Sequence, residues 1–396
     1  MRDVKESFFA LILCTMGDLI TGLFMGVFSG KMVVLPALIL LIPPSIGLRG
    51  NIYASLGSRL SSYLHTGRIA AKFEFNPKIA DNVYSSSFLL LLFSILIGFI
   101  AAKIAILMGL ANNFWELVLD LTIISTLSGF LSIVFMLPST LILAIGSYKW
   151  GWDPDNLTAP MITLFGDLIT LPLIFLCVDI IFLTKFYLKI ILICIVIVFL
   201  ILTFIQSVRS KEEIAKRVTK ESLPILLFCL IIQFGAGTIL GAEIESLITI
   251  TGLLTIIPAF LEDGGAMGGI LSAKFSTMLH LGILTPNLKI DSRVLPHFVS
   301  MHLLGIVTFA MVGLFGQIVN VMLNLPTIST LKLILVTIVA GQILIVLLNF
   351  MSYYFSILSF MKGLDPDNVG IPLITSLMDV LGSFCLILAL KLFNVI

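Results

Sequence analysis

Eleven stretches of this chain are apolar for long enough to cross a bilayer, at about 7–28, 33–64, 85–109, 115–147, 155–183, 186–208, 223–241, 247–280, 297–322, 330–358 and 368–392. In hydrocarbon a backbone must satisfy its own N–H and C=O groups, so each run is expected to be a helix. The chain therefore reads as an all-α polytopic membrane protein with about eleven transmembrane helices. Composition agrees: 59% of the 396 residues are hydrophobic, 11% are charged, and the mean hydropathy is +1.16. The longest polar stretches, near 66–86, 209–222 and 282–297, leave no room for a soluble domain. A cleaved signal peptide is not expected, since the first apolar run leads into Asp18 and continues without a small-residue cleavage site. Net charge is +1, and the basic residues sit in short loops where they set topology, so no nucleic-acid partner is expected. Cys14, Cys177, Cys194, Cys229 and Cys385 lie in apolar runs without metal-ligand spacing and read as small core residues.

The runs repeat. At an offset of 215, Gly22 aligns with Gly237, Gly26 with Gly241, Pro43 with Pro258, Gly50 with Gly265, Arg59 with Lys274 and His65 with His280. The last helix of each repeat aligns at 212. Similarity thus divides the chain into a first five-helix repeat at 1–184, a linking helix and basic loop at 185–220, and a second repeat at 221–396. Five crossings are an odd number, and a direct fusion would invert the second repeat. One additional helix restores its orientation, so the repeats are expected to be parallel. Basic residues concentrate on one side, at Arg2, Lys5, Arg68, Lys72, Lys78, Lys149, Arg209 to Lys220, Lys289, Arg293 and Lys362. By the positive-inside rule, the reading is a multi-pass protein of the cell membrane with its N-terminus cytoplasmic and its C-terminus outside.

The strongest duplication is in the fifth helix of each repeat, WDPDNLTAPMITLFGDLITL at 152–171 and LDPDNVGIPLITSLMDVLGS at 364–383. Asp153 and Asp365 stand at N-cap positions, each followed by Pro at the first helical position. Asn156, Pro160, Thr163 and Asp167 then fall at i, i+4, i+7 and i+11, one face of one helix, and Asn368, Pro372, Thr375 and Asp379 copy them. At 1.5 Å per residue Asp167 lies about 21 Å along the axis from its cap, deep in a core roughly 30 Å thick. Each proline leaves the Asn156 or Asn368 carbonyl without its helical donor. The resulting face is amide, carbonyl, hydroxyl and carboxylate oxygen, a surface suited to a hard cation. Ionisable residues at such depth are functional sites by default.

A second duplicated element is the Gly- and Pro-rich run at 42–67 and 257–282. It is expected to break into half-helices whose free backbone groups line a cavity. Asn51 and the carbonyls of Gly47 to Gly50, with Glu262, Asp263, Gly264 and Gly265 in the second repeat, are the candidate ligands there.

The run IGLRGNIYASLGSRLSSYLHTG, followed by Asp-Pro-Asp-Asn, Pro and Asp, resembles the membrane domain of MgtE-type magnesium channels. It is most similar to their animal solute-carrier relatives, in which two repeats are fused. The resemblance implies a pore enclosed by two five-helix repeats, with an Asp of the fifth helix binding hydrated Mg²⁺ near the second helix. That role falls on Asp167 and Asp379, and the family's Gly-Asn pair falls on Gly50 and Asn51; the second repeat has Gly265 and Ala266 instead. The metal-site expectation is therefore Asp167, Asp379, Asn51, Asn156, Asn368, Thr163, Thr375 and Asp263, holding the ion as cargo with no resident cofactor. A single chain in the bilayer is expected to suffice for the pore.

Other residues have plainer readings. Arg59 and Lys274 fit anchors better than ion contacts, and His65 and His280 lack metal-ligand spacing. Asp18 aligns with Gln233, which leaves it as either an asymmetric ion site or an interhelical hydrogen-bonding group. Two alternatives to a divalent-cation pore remain. One is a Na⁺- or H⁺-coupled exchanger using Asp18, Glu262 or Asp263. The other is an intramembrane aspartyl protease, which needs two carboxylates in unlike settings, whereas Asp167 and Asp379 stand in near-identical sequence frames.

Overall fold

The computed structural model describes residues 2–65, 67–72, 76–111, 113–149, 154–209, 214–280, 282–363 and 366–396. The chain is 88% helical, and among the described residues there is no strand. The first half contains α1 (Arg2–Val27), α2 (Ser29–Val34), α3 (Leu38–His65), α4 (Pro77–Leu107), α5 (Phe114–Lys149), α6 (Pro154–Leu183) and α7 (Phe186–Arg209). The second contains α8 (Ile214–Ala242), α9 (Ile244–Thr249), α10 (Ile257–His280), α11 (Leu295–Met322), α12 (Thr330–Met361) and α13 (Pro366–Leu392). Single 3₁₀ segments, Thr251–Ile256 and Ser292–Val294, precede α10 and α11. Among the described residues nine helices are long and apolar enough to span a membrane, and Cys14–Val27 forms a shorter apolar one. The remaining expected span is α3, 28 residues long, whose hydropathy is lowered by Arg49 and Arg59.

The expected mid-helix breaks are absent. α3 runs unbroken through Pro43, Pro44, Gly47 and Gly50, and α10 through Gly264 and Gly265. The irregular backbone lies earlier: α3 is entered through i+3 hydrogen bonds from Leu38, Ile39 and Leu40 to Leu35, Pro36 and Ala37, and α10 through its 3₁₀ segment. These glycines serve close packing instead. A Cβ on Gly264 would lie 2.8 Å from Leu344, and one on Gly268 2.7 Å from Ile374. Burial of the neighbouring faces outweighs the cost of Gly in a helix, about 1 kcal/mol each.

Packing divides the chain into two compact units, Val34–Gly237 and Met1–Val33 with Thr238–Ile396. The first unit holds α3 to α7 and most of α8. In it α5 lies between α4 and α6, α3 lies against α4, α5 and α6, and α7 covers α4 and α5. Lys189 of α7 reaches Asp120 of α5 at 2.5 Å. The second unit holds α1 and α9 to α13, with α10, α12 and α13 packed on one another and α1 laid against α10, α11 and the 3₁₀ segment.

The first helix of each sequence repeat thus packs in the unit built from the other repeat's remaining helices. A Cβ on Gly22 of α1 would lie 1.7 Å from the Thr255 carbonyl oxygen, and one on Gly237 of α8 3.0 Å from the Leu40 carbonyl oxygen. Both partners, like both glycines, are 215 residues apart, so the two contacts are copies. A polar cluster pins the segment that receives α1. Thr255 Oγ1 donates to Asn320 Oδ1 at 2.8 Å, and Asn320 Nδ2 donates to the Gly252 carbonyl at 3.0 Å. Beyond the spans, the loop before α11 is fastened by Tyr353 Oη, which donates to the Lys289 carbonyl at 2.6 Å. Hydrogen bonds from Arg293 there hold the Asp291 carboxyl down at about 2.

Candidate functional site

The duplicated face is helical in both halves: α6 starts at Pro154 and α13 at Pro366, each immediately after the aspartate expected to cap it. Asp153 and Asp365 lie outside the described residues, as do the side chains of Asn156 and Asn368 and those of His65 and His280. The remaining positions form two half-sites of the same design.

In the first unit α3 crosses α6 with Gly50 facing Thr163. The position a Gly50 Cβ would take is 3.7 Å from Thr163 Cγ2. Asp167 lies one turn further along α6 and is 3% exposed. Asn51 follows Gly50 on α3, half-buried, and its Nδ2 is enclosed without a hydrogen-bond partner in the protein. In the second unit α10 crosses α13 with Gly265 facing Thr375, again at 3.7 Å, and half-buried Asp379 lies one turn beyond. Ala266 stands where Asn51 stands. Each crossing brings glycine backbone against a threonine and leaves the carboxylate one turn further along the same helix as the threonine. Among the described residues, the polar side chains of these crossings, Asn51, Thr163, Asp167, Thr375 and Asp379, bear oxygen and none is a soft ligand, a chemistry compatible with a hydrated hard cation. Among the described residues no three His, Cys, Asp or Glu side chains converge to form a closed cage for a dehydrated ion.

Asp263 does not join Thr375. It is fully buried, and the Thr15 hydroxyl donates its one proton to it in a bifurcated bond, 2.8 and 3.0 Å from its two oxygens. Its side chain thus faces α1, while Gly265, two residues on and about 200° round the helix, faces α13. Asp18, one turn beyond Thr15 on α1, is also buried. Arg59 is an anchor, with Nε donating to Asn82 Oδ1 at 2.8 Å and Nη2 to Ser86 Oγ at 3.2 Å on α4.

One functional candidate escaped the sequence reading. Arg49 is 1% exposed inside the first unit, where its Nη2 donates to Ser128 Oγ of α5 at 2.7 Å and its Nη1 is enclosed without a partner. Its counterpart at the offset of 215 is Gly264. The signal was visible as a cation directly beside Gly50 and Asn51 in an apolar run.

The family model of MgtE, a divalent cation transporter, matches residues 42–177 and 257–389. The chain is 27% identical over 383 residues to solute carrier family 41 member 3 of Rattus norvegicus, covering 90% of this chain and 79% of the relative. It is 28% identical to the Mus musculus member 3, over 89% and 74% of the two chains. Identity to member 2 of Mus musculus is 26%, over 88% and 63%. No solved structure matches the chain. The two family segments begin within α3 and α10 and end within α6 and α13, so each encloses one half-site. The chain belongs to the MgtE family of divalent cation transporters.

Proposed function

We propose that this multi-pass protein carries magnesium, with Asp167 and Asp379 as the charged groups that hold the ion and Thr163, Thr375 and Asn51 bonding its waters. The observation that carries this reading is the repeated crossing: glycine backbone against threonine with a carboxylate one turn deeper, on α3 and α6 and again on α10 and α13. Mg²⁺ dehydrates reluctantly, so one carboxylate per half and neutral oxygens around it suit a largely hydrated ion better than a full ligand cage. Asn156 and Asn368 extend the same face toward the caps, by their spacing on α6 and α13. With the N-terminus cytoplasmic, an interior-negative potential contributes about 4.6 kcal/mol per 100 mV for a divalent ion, and uptake needs no other energy source. The test is divalent-cation flux into liposomes holding the purified chain, without Na⁺ or pH gradients. Magnesium entry driven by potential alone is the expected result.

A second reading is favoured by Asp263. A fully buried carboxylate bonded to Thr15, one turn from buried Asp18, suits a coupling ion or proton separate from the duplicated face. Flux that stops when Na⁺ and pH gradients are removed would select it.

A further inference from the structure

Where α7 ends and α8 begins, the first unit carries an open groove of about 410 Å³, within the size range of small-molecule sites. Its floor is apolar, formed by Phe204 and Val208 of α7 and Leu223 of α8. Phe204 and Val208 are about half exposed and continue the outward face of α7, which shows Ile190, Ile197 and Ile201 to its surroundings. Buried Ser207 and the enclosed hydroxyl of Thr219, which has no hydrogen-bond partner in the protein, are set into the groove. Lys216 and Lys220, both exposed, also line it. The intervening Arg217 is engaged by Glu221, at 2.8 Å.

We propose that this groove binds a glycerophospholipid with an anionic headgroup, its phosphate at Lys216 and Lys220 and one acyl chain along Phe204, Val208 and Leu223. Three features select that occupant. The apolar floor is continuous with the bilayer-facing surface of α7, so an acyl chain reaches it without crossing water. The segment 209–221 carries five basic and three acidic residues, opposite in net sign to an anionic headgroup. Basic residues near a membrane surface attract anionic lipid, and basic pockets between spanning helices are established headgroup sites. Thr219 supplies a neutral donor within the same recess. A soluble anion would gain the lysines and leave the apolar floor bare.

The test uses the purified full chain in detergent, titrated with phosphatidylglycerol, phosphatidylcholine or inorganic phosphate and read by native mass spectrometry and thermal unfolding. Phosphatidylglycerol is expected to bind at least tenfold more tightly than phosphatidylcholine, and phosphate to leave the melting temperature unchanged. Lys216→Gln with Lys220→Gln should weaken phosphatidylglycerol binding at least tenfold, whereas Arg217→Gln should not. Val208→Trp, which fills the floor and leaves both lysines in place, should weaken it as well. Equal binding of the two lipids, stabilisation by phosphate alone, or an equal loss in Arg217→Gln would each overturn the proposal.

Discussion

The contacts of Gly22 with Thr255 and Gly237 with Leu40 show the two halves built to one plan, yet the residues nearest the candidate ion site differ between them. Where α3 has Leu48, Arg49, Gly50 and Asn51, α10 has Asp263, Gly264, Gly265 and Ala266. One helix buries a guanidinium against Ser128, and the other buries a carboxylate against Thr15. Only the glycine that meets the threonine is the same. Burying an ionisable group costs free energy that a single hydroxyl partner offsets only in part, so Arg49 and Asp263 are poor candidates for stabilising groups. The shared features make the frame, and the unshared charges make the halves electrostatically unequal.

The largest expected effect tests what is shared. Asp167→Asn and Asp379→Asn should each lower divalent flux at least tenfold while the protein still elutes as a folded species. Wild-type flux in one of the two would mean that a single half carries the ion. Next is the copied glycine contact. Gly22→Ala places a methyl group 1.7 Å from a backbone oxygen, where Gly237→Ala meets one at 3.0 Å. The first should therefore cost about 3 kcal/mol or more and the second about 1, read by denaturation in detergent. Similar losses would show that the two contacts relax alike.

The unshared charges come third. Thr15→Val removes the donor to Asp263 and should destabilise by about 1–3 kcal/mol. Leu230→Val, at the equivalent position of α8, trims only packing and should cost about 1 kcal/mol. Arg49→Met should leave the melting temperature unchanged or raise it, because an apolar side chain of similar length replaces a poorly paired buried charge. Removal of a positive charge from the first half should also tighten cation binding, on the order of tenfold or less, as measured by calorimetry. Weaker binding would show that the guanidinium supports the site. The smallest effect is expected at the amide: Asn51→Ala should weaken affinity, and Ala266→Asn strengthen it, each by about two- to tenfold.

The candidate face was legible because it is a matter of spacing on one helix. Asn156, Thr163 and Asp167 share a face by arithmetic alone, and α6 keeps that register. The pairing of Gly50 with Thr163 needed the crossing of α3 over α6, which no local pattern encodes. Asp263 stands close to Gly265 in sequence, but two residues along a helix turn about 200° round its axis, and its partner is Thr15, 248 residues away. The glycines and prolines were read as breaks by intrinsic propensity. In α3 and α10 they pass through intact helix, because close packing against Leu344, Ile374 and Gln233 outweighs that preference.

The sequence by itself determined the all-α membrane class, the duplication and the helical spacing of the oxygen-bearing residues, since hydrophobic length and helical period are local properties that hydrocarbon enforces on each segment separately. Only the tertiary structure decided that α1 packs with α10 and α11 and that α8 passes α3 at Leu40 and Gly47. The reason is physical: the repeats present similar surfaces, so similarity shows which positions correspond and is silent on which copy each first helix will pack against. That choice sets Asp263 against Thr15, whereas Arg49 meets Ser128 within the first repeat's own helices.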